Sequence, residues 1–440
     1  MPRIFGKSAP PAPPSPSLVR SSSGSMHLPA FLLAALPILL LSGLRPALAK
    51  GASPRVDTPP GATLLAQIPV APLGYRAPGA LYLLSRESFS SLEFIDSQHL
   101  LFTFHESKLL RRDQDASASD DDQVIHAEVL DLPGGNVTAS TDWRMHDHSR
   151  YLWPLSGGRF LVRQRNLYWI TDATLKPGSY IHSGAPVLTT EVSPDGKLML
   201  VEGAYQPSPE EPTKLSLADG DGDAPKMQQA VIAMMDVDSR AVQAELRTPE
   251  AILLPVTSSG YLGVREEKEN SYRLTFLPFQ GQKVVLGDVA STCTPRETFV
   301  SADALMIASC GPDTPALYLD AWTIDGKKLW SGRRDGSTAW PTFARAINGS
   351  RFAVGLLRVK QPISTPDSLV DEDVEGQMVQ VFDTRTGALL LSTDASPVLS
   401  AGQNFALSPD GEQLAILRHG AIEVYRIPGA PAPPATPQKK

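Results

Sequence analysis

The stretch "VSPDGKLML" at residues 192–200 is matched near the other end of the chain by "LSPDGEQLAIL" at 407–417. Ser-Pro-Asp-Gly suits a tight turn for separable reasons. Serine at the first position bonds back to the turn backbone, and proline pre-sets φ at the second. Aspartate tolerates the third, and glycine the last, where a positive φ is common. The residues after each tetrad are apolar and of strand length. Ser193-Pro194-Asp195-Gly196 and Ser408-Pro409-Asp410-Gly411 therefore read as hairpin turns rather than as an acidic site. Their carboxylates are expected to face solvent and to be replaceable.

The strand–turn–strand unit recurs in eroded form as "FIDSQHLLFTF" (94–104), "LSGGRFLVR" (155–163), "VTSSGYLGVR" (256–265), "FVSADALMIAS" (299–309) and "AINGSRFAVGL" (346–356). With the two sharp copies that makes seven. An apolar anchor comes just after each turn: Leu100, Phe160, Leu198, Tyr261, Leu305, Phe352 and Leu414. A second hairpin succeeds the first in six units, as in "QAVIAMMDVDSRAVQAEL" (229–246) and "QMVQVFDTRTGALLL" (377–391). The seventh unit has only one further strand, "AIEVYRIPG" (421–429). Two hairpins per unit mean four antiparallel strands, and seven units over 80–427 average about 50 residues each, the period of propeller blades. The predicted fold is all-β, a seven-bladed β-propeller of four-stranded antiparallel blades. Inserts at 112–122, 206–226 and 359–376 all fall between a first and a second hairpin, where loops grow without disturbing a core. The missing strand of the last blade is expected from the N-terminal side, with "ALYLLSR" (80–86) pairing outermost and closing the ring.

The two sharp copies, "VSPDGKLMLVE" and "LSPDGEQLAILR", resemble the first-hairpin repeats of WD-repeat-like and TolB-type bacterial propellers. "VFDTRTGALLL" resembles the second hairpin of the same blades. The resemblance spans most of 80–427 as a periodic pattern and implies the propeller fold. No blade opens on Gly-His or ends on Trp-Asp, so the polar network of WD repeats is not expected, and no functional residue carries over. "AWTIDGKKLW" (321–330) resembles a quinoprotein blade but occurs once, so no quinone is expected and no cofactor is assigned.

Residues 1–49 read as a disordered Pro/Ser-rich leader and then a signal peptide. Residues 28–41 are apolar and Ala47-Leu48-Ala49 fits a small-x-small cleavage site, with Met26 a candidate start. Pro37 and the closing Arg45 argue against an uncleaved anchor. Residues 50–79 read as a Pro-rich linker, 80–428 as the propeller and 429–440 as a Pro/Ala-rich tail. The protein is thus expected to be exported, periplasmic or extracellular, with no stable membrane span after cleavage, and monomeric. Loss of 1–49 removes four basic residues and no acid, taking the net charge from −7 to −11. An acidic chain without a basic stripe is not a nucleic-acid binder. The two cysteines, Cys293 and Cys310, flank a strand–turn–strand segment and are expected to form a disulfide across a hairpin.

No motif with a catalytic mechanism is present: no Gly-x-Ser-x-Gly, His-Glu-x-x-His, Cys-x-x-Cys or phosphate-cradling loop. Asp219, Asp221 and Asp223 alternate as in a calcium loop, but Ala224 and Ala230 stand where the glycine and the bidentate glutamate belong. His146, Asp147 and His148 offer zinc ligands but read as surface residues of an interblade loop. No catalytic or metal residue is assigned. Trp153 and Trp340 each begin a Trp-Pro pair just before a first-hairpin turn, near the channel mouth, where aromatics bind sugars or peptides. Against that stands packing between blades. The expected function is a non-catalytic binding or scaffolding role toward an unidentified protein, small molecule or glycan. The alternatives are a propeller enzyme of hydrolase or lactonase type, which buried carboxylates at the channel mouth would favour, and a subunit of a cell-envelope complex.

Overall fold

The computed structural model describes residues 58–77, 90–106, 123–145, 150–205, 229–249, 252–311, 317–333, 338–361, 373–398 and 404–429. They form seven four-stranded sheets in which hydrogen-bonded neighbours are antiparallel. In blade 1, Ser90–Asp96, His99–Glu106, Gln123–Asp131 and Val137–Met145 pair in chain order, and blades 2 to 6 repeat that order. The first strands are Ser90–Asp96, Leu152–Leu155, Val187–Val192, Val256–Thr257, Arg296–Ser301, Thr338–Arg345 and Phe405–Leu407. Each touches the first strand of the next blade, and the seventh touches the first, so a closed ring of strands surrounds a central channel. All seven predicted hairpins lie where the repeat put them.

Apolar runs, rather than strict alternation, result from this geometry. Successive side chains of a strand point to opposite faces, and each face of a blade packs on a different neighbour. Leu198 and Leu200 pack with Leu254 and Val256 of blade 4. Met199 and Val201, between and beside them, pack with Leu161 and Tyr168 of blade 2. In blade 7, Leu414 and Ile416 face blade 6 while Ala415 and Leu417 face blade 1. The core is thus distributed over seven layers, one between each pair of blades. Each fully buried leucine adds about 1.5–3 kcal/mol.

The turns form a second ring. Ser193 Oγ donates to Asp195 Oδ1 (2.6 Å) and accepts from the Leu198 amide (2.9 Å). Ser408 repeats the pattern with Asp410 (2.5 Å) and the Gln413 amide (2.9 Å). Gly196 and Gly411 hold φ of +67° and +75°, which glycine adopts without strain. In six blades an amide of the second hairpin donates to a carbonyl of the first-hairpin turn, as in Val237 to Lys197 (2.8 Å) and Ile427 to Glu412 (2.9 Å). Neighbouring turns also touch. The Ser156 amide donates to Gly196 (3.2 Å), the Asn348 amide to Pro409 (3.1 Å), and Gln413 Nε2 of blade 7 to Ser97 of blade 1 (3.1 Å).

An N-terminal strand does close the ring, but it is Thr63–Pro69, inside the stretch read as a linker. Residues 80–86 lie outside the described residues. Thr63 pairs with Arg426 and Pro69 with Ala421. Ala66 and Ile68 are buried with Ile422 and Val424 in the layer between blades 7 and 1. The Val70 amide then donates to Gly420 (3.0 Å), and Tyr75 sets its ring edge-on against Phe102 and Phe104. Cys293 and Cys310 are joined by a disulfide with their Cα atoms 5.5 Å apart. It ties the approach to the first strand of blade 5 to the end of its second strand, Ala304–Cys310. Among the described residues no helix is long and apolar enough to cross a membrane.

Candidate functional site: the central channel

The channel wall has a fixed register. Seven positions before the apolar anchors stand Glu93, Trp153, Glu191, Leu254, Thr298, Arg345 and Leu407, one from each blade. All seven line two adjoining cavities of the channel, which share Glu191, Val192 and Arg345. Glu297, beside Thr298, lines the second cavity, and Arg150, just before the first strand of blade 2, lines the first.

Arg345 is the hub. It donates from Nη1 to the Val192 carbonyl (3.2 Å) and from Nη2 to Thr298 Oγ1 (3.2 Å), and its Nη2 lies 3.9 Å from Glu191 Oε2. One side chain from blade 6 thus reaches blades 3 and 5. Burial pulls its pKa below the usual guanidinium value, with Glu191 opposing, but an arginine stays charged in a protein. Arg150 Nη2 lies 3.9 Å from Glu93 Oε1, its Nε donates to the Leu152 carbonyl (3.1 Å), and its guanidinium sits 5.5 Å from the Trp153 ring centre.

Two carboxyls are strongly perturbed. Burial pushes Glu93 up to about 7, against the pull of Arg150 and Arg345. Burial also pushes Glu297 up to about 7, and only a hydrogen bond from its own backbone opposes that. Among the described residues no ion pair involves Glu297. A carboxyl in low-dielectric surroundings without a cation keeps its proton. The channel therefore offers guanidinium donors from Arg150 and Arg345 beside three carboxyls, two of which, Glu93 and Glu297, are able to gain or lose a proton near neutrality.

Of the aromatic candidates, Trp153 reaches the channel but is only 2% exposed and belongs to the buried cluster of Leu155, Leu161 and Met199 between blades 2 and 3. It belongs both to that layer and to the lining of the first cavity. Trp340 lies on the first strand of blade 6, but its side chain is outside the described residues, as are His146, Asp147 and His148 and the stretch with Asp219, Asp221 and Asp223. The turn residues stand away from the channel cavity, apart from Ser193 and Pro194 at its edge. Asp410 is exposed and Asp195 half-buried, each accepting from its own serine. The charged wall was absent from the sequence reading. Each residue is ordinary in its local context; counting back a constant interval from the anchors collects Glu93, Glu191 and Arg345, three of the five charged members, and misses Arg150 and Glu297.

No protein-family model matches the sequence, and no curated protein matches it. Among solved structures the C-terminal WD40 domain of Sif2 aligns with 10% identity and a TM-score of 0.39, over 84% of this chain and 99% of that one. An oligogalacturonate lyase in complex with manganese aligns with 12% identity and a TM-score of 0.42, over 83% and 98%. TolB from Acinetobacter baumannii aligns with 12% identity and a TM-score of 0.35, over 71% and 78%. Likeness at this level is a likeness of fold.

Proposed function

We propose that this chain is an exported binding protein whose channel takes a polar ligand bearing a cationic group or hydrogen-bond donors. The observation that carries this reading is the convergence of Glu93, Glu191 and Glu297 with Arg150 and Arg345, from five different blades, on one concave wall. No strand pairing requires charges there, and desolvating them costs stability, so the reading takes them as serving recognition. Carboxylates outnumber guanidiniums, and each arginine already faces a glutamate. Glu297 is left without a cation, and an incoming cationic group would draw off its proton and make it the acceptor. Export rests on the apolar run and small-x-small site of residues 28–49, and the disulfide is consistent with an oxidising compartment.

A second reading, a propeller enzyme of hydrolase type, is favoured by one feature: burial pushes both Glu93 and Glu297 up to about 7. That is where a general acid or base works best. Thermal-shift measurement with polyamines, short peptides and oligosaccharides tests both. A compound that stabilises the wild type, and loses at least tenfold in affinity with Glu297→Gln or Arg345→Ala, supports the channel site. Turnover of that compound, abolished in Glu297→Gln, selects the enzyme. Binding that none of these substitutions alters places recognition elsewhere and ends the proposal.

A further inference from the structure

Blade 1 carries a second cluster, remote in the fold from the channel wall. Glu106 ends its second strand, His126 lies on the third and Asp142 on the fourth. His126 pairs in register with Phe104 on one side and with Asp142 on the other. Glu106, two places beyond Phe104, shares that face because side chains alternate along a strand. One imidazole nitrogen and one carboxylate oxygen from each acid all lie within 4.8 Å of one another. His126 Nδ1 is 2.6 Å from Asp142 Oδ1.

A fourth residue gives the cluster its direction. Glu128 is 6% exposed, and its Oε1 lies 3.3 Å from His126 Nε2. Its Oε2 is buried without a hydrogen-bond partner. A carboxylate behind one ring nitrogen is the arrangement that orients a metal-binding histidine: it accepts the Nε2 proton and leaves the Nδ1 lone pair facing outward. Here the outward side holds the two other acids. Phe104 packs against the imidazole with ring centres 5.4 Å apart and planes tilted by 58°. The competing account of the same atoms is an imidazolium bridging two carboxylates.

We propose that Glu106, His126 and Asp142 form a divalent-cation site, with Glu128 as the positioning residue behind the histidine. One imidazole with two carboxylates suits Zn²⁺ or Mn²⁺ better than Ca²⁺, which prefers oxygen alone. The site occupies the outer three strands of one blade, bridging them by side chains in addition to their backbone ladder.

The test is isothermal titration of the chelator-treated full chain with ZnCl2, MnCl2 and CaCl2, with thermal melts in parallel. One equivalent of Zn²⁺ or Mn²⁺ is expected to bind and raise the melting temperature. His126→Ala and Asp142→Asn should each abolish that binding, and Glu106→Gln should weaken it strongly. Glu128→Gln should weaken it 10- to 100-fold while the metal-free melting temperature holds, a split that a purely structural role would not produce. Metal-free melts of all four variants separate lost ligation from lost folding. The proposal fails if no saturable binding is seen. It also fails if binding survives both His126→Ala and Asp142→Asn unchanged, or if Ca²⁺ alone binds.

Discussion

The hairpin turn and the channel-facing position seven residues before its anchor belong to the same unit in every blade, yet they vary in opposite ways. Three of the turns share one chemistry and a fourth a close substitute. Ser193 with Asp195, Ser408 with Asp410 and Ser301 with Asp303 make the same hydroxyl-to-carboxylate bond, and Asn348 substitutes by accepting from the Ser350 amide. The channel position changes in almost every blade: glutamate, tryptophan, glutamate, leucine, threonine, arginine, leucine. A turn has to satisfy one backbone geometry wherever it occurs, so its residues are interchangeable copies. A channel position sits on a regular strand that accepts most side chains, and is free to differ. In a repeat protein, identity between copies reports architecture, and departure from identity reports recognition.

The largest expected effect on the architectural side is at the closing strand. Ile68→Asp places an unpaired charge in the layer between blades 7 and 1 and should cost about 4 kcal/mol in chemical denaturation. An unchanged midpoint would mean that Thr63–Pro69 does not close the ring. Next come the two sharp turns, which separate backbone from side-chain constraint. A Cβ on Gly196 would stand 2.3 Å from the Ser156 amide nitrogen, while on Gly411 its nearest neighbour is the movable Ser350 hydroxyl at 2.6 Å. Both glycines have positive φ, so both alanines are strained. Gly196→Ala is expected to cost about 3 kcal/mol and Gly411→Ala about 1–2 kcal/mol, read from denaturation midpoints. Equal costs would remove the distinction between these copies.

On the channel side the expected effect depends on pH. The Glu297 carboxyl keeps its proton to about pH 7 in the folded chain but only to its ordinary 4.5 when unfolded. The folded state therefore binds the extra proton between those values. Stability from this group is full below about pH 4.5 and is lost as pH rises through 7. Glu297→Gln should match the wild type at pH 4.5 and exceed it at pH 8 by about 1–2 kcal/mol, a figure reduced for partial solvent access. Parallel pH–melting curves for the two proteins would contradict the burial argument. The smallest effects belong to the turn side chains. Ser408→Ala should cost about 1 kcal/mol through the lost Gln413 amide bond, and Asp410→Ala about 0.5 kcal/mol.

Legibility tracked the range of the interactions. The turns were readable because Ser193, Pro194, Asp195 and Gly196 bond among themselves and to residues immediately after them. The closing strand was misplaced because "TLLAQIP" and "ALYLLSR" both pass as strands, and nothing local chooses between them. The choice lies in Ala66 and Ile68 meeting Ile422 and Val424, contacts made across nearly the whole chain. Trp153 was singled out for its Trp-Pro dipeptide. It does stand at the channel register, but its ring is claimed by the layer between blades 2 and 3. Glu106, His126 and Asp142 form no motif, because they lie on three different strands with a long insert between the first two.

By itself the sequence determined the number of blades, the place of each hairpin and the apolar runs that two-sided burial demands. Those are set by turn chemistry and strand patterning within a dozen residues. Only the tertiary structure decided which segment seals the ring, which charges meet, and that Glu93, Glu191, Glu297, Arg150 and Arg345 share one channel wall. The physical reason is convergence. A channel exists only where seven strands from distant parts of the chain come together, and burial there, rather than any neighbour in sequence, is what changes the character of a carboxyl.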